Sequence, residues 1–209
     1  MTTFYFVRHG ETLINQAQCF NGSNVDAALT VNGQNAAVRL GNYLAPQAFD
    51  AIVSSPLQRA RTTTDLLVQA SQVPQPASQL DARLQEMDLG DWDGQPVVEQ
   101  ATHPEFEHYF HHPDLFDAQK LHAESYQSVL KRARAVVTEY ERAYPQGDVL
   151  IVAHGIVLLF VMSDLLGVPF ARIRDQKMVA NASLSILQGA TGHYHKQLWD
   201  YRPTEGVVN

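Results

Sequence analysis

Two apolar runs, each too short to make a helix, end in the same way. "FYFV" at residues 4–7 runs into Arg8, His9 and Gly10, and "VLIVA" at residues 149–153 runs into His154 and Gly155. A short apolar run bounded by polar residues reads as a strand buried on both faces, and such strands belong to parallel sheets covered by helices on both sides. This constrains the fold more than any other feature, because parallel strands must be joined by long crossovers. The intervening stretches supply them. Ala36, Ala37, Leu40 and Leu44 recur at helical spacing between Thr30, a good N-cap, and Pro46. Residues 51–54 form a second strand, and Ser55 and Pro56 suit the N-cap and first position of a helix that carries Arg59 near its start. Leu80, Ala82 and Leu84 alternate like a short strand, and "EMDLGDWDG" after them has the Gly and Asp content of a loop. Ser125 opens a long amphipathic helix through Val129, Ala133, Val136, Val137 and Tyr140, closed by Pro145 and Gly147. The helix after Gly155 stops at Gly167, ahead of Pro169. Finally, "ASLSIL" and "HYHKQLWDY" alternate around Gly189 and Gly192 as an antiparallel hairpin would. The predicted fold is a three-layer α/β/α arrangement with a mostly parallel central sheet, an antiparallel edge hairpin near the C-terminus and a small helical cap insertion.

At 209 residues with 45% apolar content, the chain can bury a sizeable core, and one domain spanning 1–209 is expected, with a cap segment at about 91–123. Asp and Glu outnumber Lys and Arg by 22 to 15, and the formal charge of -7 argues against a broad grip on nucleic acid or on an anionic membrane. Any cationic site must be local. No apolar run approaches the ~20 residues of a membrane span, and the N-terminus lacks the pattern of a signal peptide, so a soluble cytoplasmic protein is expected. The lone Cys19 excludes an internal disulfide framework and a cysteine-built metal site, and reads as an ordinary buried thiol.

In open α/β sheets, ligands bind beyond the carboxyl ends of the strands. Three strands deliver polar groups to that rim: Arg8 and His9 from the first, Arg59 beyond the second, and His154 from "VAHG". Gly10 and Gly155 are expected to let the backbone turn sharply and approach a ligand. Two guanidiniums, two imidazoles and helix N-termini converging on one point describe a receptor for a compact dianion such as phosphate.

The segments "FVRHGETLIN", "SSPLQRARTT", "LQEMDLGDWDG" and "LIVAHGIVL", in this order and spacing, resemble the histidine phosphatase superfamily, also called the phosphoglycerate mutase-like family. The resemblance covers nearly the whole chain. It implies that His9 is a nucleophile that becomes phosphorylated, that Arg8, Arg59 and His154 bind the phosphoryl group, and that Glu86 is the proton donor. Asn15 matches a phosphate-contacting position, and Thr12, Asn21, Gly22 and Gly155 complete the expected substrate contacts. Two stretches depart from the family pattern. "FNGSNVDAALT" has Asn21 and Ala28 where many members have Gln and Pro, which puts Asn21 in doubt as a substrate contact. "LHAES" has His122 and Ala123 where relatives often carry two glycines.

The chemistry accounts for these residue types. A neutral imidazole can attack phosphorus without a metal, and Arg8 and Arg59 favour its neutral form by disfavouring a further cation. No metal site and no cofactor is expected. The arginines and His154 would hold the oxygens as charge redistributes, while Glu86 begins protonated, protonates the leaving alkoxide and then acts as base toward water. Glu11, Asp88, Asp91 and Asp93 compete for that acid role by position, and only the resemblance favours Glu86. The cap segment carries Phe106, Tyr109, Phe110 and Phe116 with His103, His108, His111, His112 and His122, and is expected to wall the organic end of the pocket. The 108/112 spacing of two histidines is the one hint of metal binding, but Pro113 interrupts it and no carboxylate ligand is evident. Metal-independent hydrolysis of a small phosphorylated metabolite through phosphohistidine leads the readings. Mutase-type transfer is the alternative, disfavoured because no segment rich in arginine, tyrosine and proline of the kind dedicated mutases carry occurs between Asp91 and Ser125. A noncatalytic phospholigand-binding module comes third. The oligomeric state is left open, a homodimer included.

Overall fold

The computed structural model of the protein describes residues 1–204. Its sheet holds six strands. β1 (Thr2–Arg8), β2 (Ala51–Ser54), β3 (Gln79–Leu80) and β4 (Asp148–Ala153) pair in parallel, and β5 (Leu184–Ala190) and β6 (His193–Tyr201) add an antiparallel edge. The order across the sheet is β3-β2-β4-β1-β5-β6. β4 therefore inserts between β2 and β1, both of which precede it in the chain. The predicted mostly parallel α/β sheet with an antiparallel C-terminal hairpin is the observed one.

Side-chain alternation sorts the strands onto two cores. Phe4, Phe6, Val53, Val149, Ile151 and Ala153 face one side, packed with α5 (Tyr126–Ala143) and α6 (Gly155–Leu165). Val7, Ile52, Leu150 and Val152 face the other, under α2 (Val31–Leu44) and α3 (Gln58–Gln69), while the one-turn α1 (Leu13–Gln16) follows β1. Helix α6 is apolar on every side and almost wholly buried, as a helix enclosed between sheet and outer layer must be. Thr30 and Ser125 cap α2 and α5 through their side-chain oxygens, as the sequence predicts.

Three local expectations, on the start of α3, the end of the third strand and the place of Gly189, are corrected. Helix α3 is capped at Leu57 and begins at Gln58, because the Ser55 hydroxyl accepts from Leu57 N–H in a turn that precedes it. The third strand ends at Leu80: Asp81 caps a 3-10 turn at Ala82–Leu84 that pulls Leu84 alone into the core. The hairpin turns at Thr191 and Gly192, both at positive φ (48° and 85°), which suits the tight turns favoured between twisted strands. Gly189 lies inside β5, where a Cβ would meet the His193 carbonyl oxygen at 2.2 Å.

The segment between β3 and α5 contains 3-10 turns at Gly90–Trp92, Val97–Gln100 and Ala118–Leu121 and one short helix, α4 (Phe106–His111). It shares the α5–α6 core through Trp92, Tyr109, Phe116 and Leu121. Among the described residues no helix is long and apolar enough to cross a membrane.

Candidate active site

The site is built on the pairing of β1 with β4. Arg8 lies opposite Ala153 in the parallel register, and His9 N–H donates to the Ala153 carbonyl (3.0 Å), so the next residue of each strand, His9 and His154, emerges beside the other. Their rings stand 5.1 Å apart. Because β2 flanks β4 on its other side and Ser55 N–H donates to the Val152 carbonyl, Ser55 also arrives next to His154. A residue-by-residue register thus brings segments some 145 positions apart in sequence to one point.

His9 is 2% exposed, and its Nδ1 lies 2.7 Å from the carbonyl oxygen of Gly10. A carbonyl can only accept, so Nδ1 carries the hydrogen and Nε2 keeps a free lone pair. Burial, then Arg8 and Arg59, lower the His9 pKa well below its ordinary value, against a smaller opposing pull from the Gly10 hydrogen bond. The ring is neutral, with Nδ1 protonated and the Nε2 lone pair free. Thr63 on α3 accepts from Gly10 N–H (2.9 Å), and Asn181 Nδ2 donates to the His9 carbonyl (3.1 Å), which pins the backbone on both sides.

Fully buried Arg59 is a hub. Its Nη1 donates to the Val25 carbonyl (2.6 Å) and Asp26 carboxylate (3.3 Å), Nη2 to the Gly22 carbonyl (2.8 Å), and Nε to His154 Nδ1 (3.3 Å). Since an arginine Nε–H only donates, His154 Nδ1 is bare and its Nε2–H donates to Ser55 Oγ (2.7 Å). Burial first, then Arg59, lowers the His154 pKa well below the usual range. Arg8 is held differently. Nη1 donates to the Val179 carbonyl (2.7 Å), but its buried Nε–H has no partner, and burial lowers its pKa. An unpaired buried donor on a cation is costly unless a ligand's oxygen completes it.

Arg8, Asn15, Asn21, Glu86 and Gly155 line a cavity of about 180 Å³, walled further by Cys19, Phe20, Val97, Tyr109, Phe110, Arg174 and Met178. His9, Arg59 and His154 sit beneath that lining. Thr12 and Gly22 are further back. Thr12 is fully buried and accepts from the amide of Asn21, and the Gly22 carbonyl serves Arg59. Neither is among the residues that line the cavity. Gly10 and Gly155 are not in the left-handed region; a Cβ would meet the Gly33 carbonyl oxygen at 2.7 Å in the first case and Arg8 Cζ at 3.2 Å in the second, so each permits close packing of protein on protein. Cys19 is half-buried at the cavity wall, not in the core.

Of the carboxylates weighed for the acid role, Glu86 alone lines the cavity. It accepts N–H bonds from Met87 (2.9 Å), Ile156 (3.1 Å) and Val157 (3.3 Å), at the start of α6. Glu11 accepts from the Thr30 hydroxyl, Asp88 from Gly90 N–H, Asp93 from Gly22 N–H, and Asp91 pairs with His122. Each has structural work elsewhere. Tyr109 and Phe110 supply the aromatic wall expected of the cap, whereas Phe106 and Phe116 pack on Trp92. None of the cap histidines lines the cavity: His108 binds the Glu105 carboxylate and His103 stands edge-on to Trp92. Among the described residues no three His, Cys, Asp or Glu side chains are grouped to hold a metal ion. Sequence reading missed Ser55, Asp26, Asn181 and Arg174. A carboxylate two residues after Asn24 or an arginine in "ARIRDQ" carries no local signal of where the fold will bring it.

The family model of the histidine phosphatase superfamily (branch 1) matches residues 4–202. The uncharacterized phosphatase PhoE of Bacillus subtilis is 30% identical over 167 residues, 80% of this chain and 79% of that protein. The probable phosphoglycerate mutase GpmB of Citrobacter koseri is 30% identical over 200 residues, 95% of this chain and 88% of its own length. Among solved structures, YhfR of Bacillus stearothermophilus superposes with a TM-score of 0.85 at 30% identity, covering 96% of this chain and 97% of that one.

Proposed function

The chain belongs to the histidine phosphatase superfamily, and we propose that it is a phosphatase-type hydrolase that cleaves small phosphomonoesters through a phosphohistidine on His9. One observation carries this reading: a neutral imidazole with Nδ1–H fixed on the Gly10 carbonyl and Nε2 bare, next in sequence to an arginine whose buried Nε–H lacks an acceptor. A phosphoryl group seated at that point supplies the electrophile for the first and the oxygen for the second.

In the proposed reaction the His9 Nε2 lone pair attacks phosphorus, the bond from phosphorus to the alcohol oxygen breaks, and Glu86 gives that oxygen a proton. Water then attacks the phosphohistidine, its proton returns to Glu86, and the P–N electrons return to Nε2. Glu86 ends as it began, and the net change is ester plus water to alcohol plus phosphate. Arg8 binds the phosphoryl oxygens directly. The 3.3 Å contact between Arg59 Nε and His154 Nδ1 is the one a phosphate oxygen would replace, bringing both residues onto the transferring group. The metal-independent route follows from the nucleophile's identity.

The test is a panel of phosphorylated metabolites and p-nitrophenyl phosphate, assayed after exhaustive chelation with His9→Ala as the blank. Turnover that survives chelation, vanishes in the blank and leaves an acid-labile phosphohistidine on the protein is expected. Glu86→Gln should lose alkyl phosphates by about 10²-fold or more while giving a burst of nitrophenol, since a phenolate leaves without a proton. Turnover abolished by EDTA and restored by Mg²⁺ or Zn²⁺ would overturn the mechanism. The likeness to GpmB keeps a second reading, mutase-type transfer, in the same panel: 3-phosphoglycerate converted to 2-phosphoglycerate with little free phosphate would select it.

A further inference from the structure

Arg174 is a cation at the cavity for which the proposed reaction has no use. It lies in the 3-10 segment Phe170–Asp175, outside every motif of the resemblance, yet it lines the same cavity as Arg8 and Glu86. Its guanidinium sits over the rings of Tyr109 (5.0 Å) and Phe110 (5.4 Å), and its Nε–H donates to the Phe110 carbonyl (3.2 Å). Two aromatic faces and one hydrogen bond hold the planar head in place.

What distinguishes Arg174 from the other cavity arginines is the absence of a counter-ion. Arg59 has Asp26 at 3.3 Å, and both Arg59 and Arg8 feel the charge of Glu86. The nearest acidic neighbour in sequence, Asp175, is taken by the exposed Arg172. Among the described residues Arg174 makes no ion pair, and its two terminal nitrogens have no hydrogen-bond partner. A half-buried guanidinium of this kind gains most from an oxyanion, which its fork can bind through two parallel N–H bonds.

We propose that Arg174 binds a second oxyanion, a carboxylate or a second phosphate, carried by the alcohol part of the substrate. The preferred substrates are then phosphomonoesters of small anionic alcohols, with the reacting phosphate at Arg8 and the second charge at Arg174. This assignment rests on the phosphatase reading above. A cavity of about 180 Å³ limits the alcohol to a compact one. An apolar or neutral leaving group would cover the guanidinium without pairing it, and unpaired charge taken out of water is penalised.

The experiment uses matched pairs that differ only in that charge: the phosphate ester of 3-hydroxypropanoate against its methyl ester, and propane-1,3-diol bisphosphate against the monophosphate. The wild-type kcat/KM is expected to favour the charged member by about tenfold or more, the order of one charge-assisted hydrogen bond. The carboxylate and bisphosphate arms show which oxyanion is meant. Arg174→Met keeps an unbranched apolar stem against Tyr109 and should bring each ratio to near one, with the loss falling on the charged member; Arg174→Lys should restore part of it. Equal rates for the pairs in the wild type, or a preference that persists in Arg174→Met, would overturn the proposal. Calorimetric binding of the same pairs to His9→Ala reads the preference without turnover. If nothing in the panel is hydrolysed, it is the phosphatase reading that fails, and the calorimetric ratio still decides the role of Arg174.

Discussion

At the scale of single residues, the identity of the cluster was legible in the sequence and its wiring was not. Arg8, His9, Arg59 and His154 arrive at one place because each lies at the end of a strand or the start of a helix that the apolar pattern already implies, and Glu86 reaches it from the loop after the Ala82–Leu84 turn. What the pattern could not convey is how each is held. The tautomer of His9 depends on a carbonyl one residue away, and that of His154 on Arg59 and Ser55, 95 and 99 positions distant. Two buried neutral imidazoles make acid stability a measure of this wiring. Both folded pKa values lie well below the ordinary 6.5, so above that value folded and unfolded chains alike hold these rings neutral. As pH falls below about 6.5 the unfolded chain takes up protons that the folded chain refuses, and stability falls with pH until the folded values are reached. Denaturation midpoints at pH 8, 7, 6 and 5 should therefore drop below pH 6.5 in the wild type and drop less steeply in His9→Gln, which cannot titrate. Parallel decline of the two proteins would place the acid sensitivity elsewhere.

Secondary-structure elements show the same division. Strands β1, β2 and β4 were readable because burial on both faces demands unbroken apolar runs, and the long helices because their caps and periods are local. The segment from 91 to 123 resisted reading because 3-10 turns have no apolar period of their own and borrow stability from what they touch. Glu105 illustrates this. It is 1% exposed in a segment with no strand and one six-residue helix, and it accepts from Lys120 Nζ (2.6 Å), Asp117 N–H (2.9 Å) and His108 Nδ1 (3.1 Å). Burial would raise its pKa, but these hydrogen bonds outweigh it and hold the carboxylate at about 2. The clasp is present above the ordinary glutamate value and is lost as pH falls toward 2. It ties the start of α4 to the turn after it, and α4 carries Tyr109 and Phe110 to the cavity. Glu105→Ala leaves the Asp117 N–H unsatisfied and should cost roughly 1–3 kcal/mol. Hydrogen exchange should speed up across residues 103–121 and leave the central sheet unchanged. Uniform acceleration over the whole chain would mean that this segment does not open on its own.

For the molecule as a whole, the two scales of charge oppose each other. The chain carries a formal charge of -7, which argues against a broad cationic surface, while Arg8, Arg59 and Arg174 gather positive charge at one cavity against Glu86 and Asp26. A phosphomonoester dianion approaching from bulk is repelled by the net charge at long range and attracted only near the mouth. Screening separates the two, because the Debye length shrinks from about 30 Å at 0.01 M salt to about 10 Å at 0.1 M. The long-range repulsion is then largely removed, whereas the contacts within the cavity span a few ångströms and are screened far less. Raising NaCl from 10 to 100 mM should therefore increase kcat/KM for a dianionic substrate by about two- to threefold, before anion competition at the cavity reverses the trend at higher salt. Potassium chloride in place of sodium chloride should give the same rise, since only ionic strength is involved. A steady fall from the lowest salt upward would mean that the arginines around the cavity, and not the charge of the whole chain, dominate the field an approaching substrate meets.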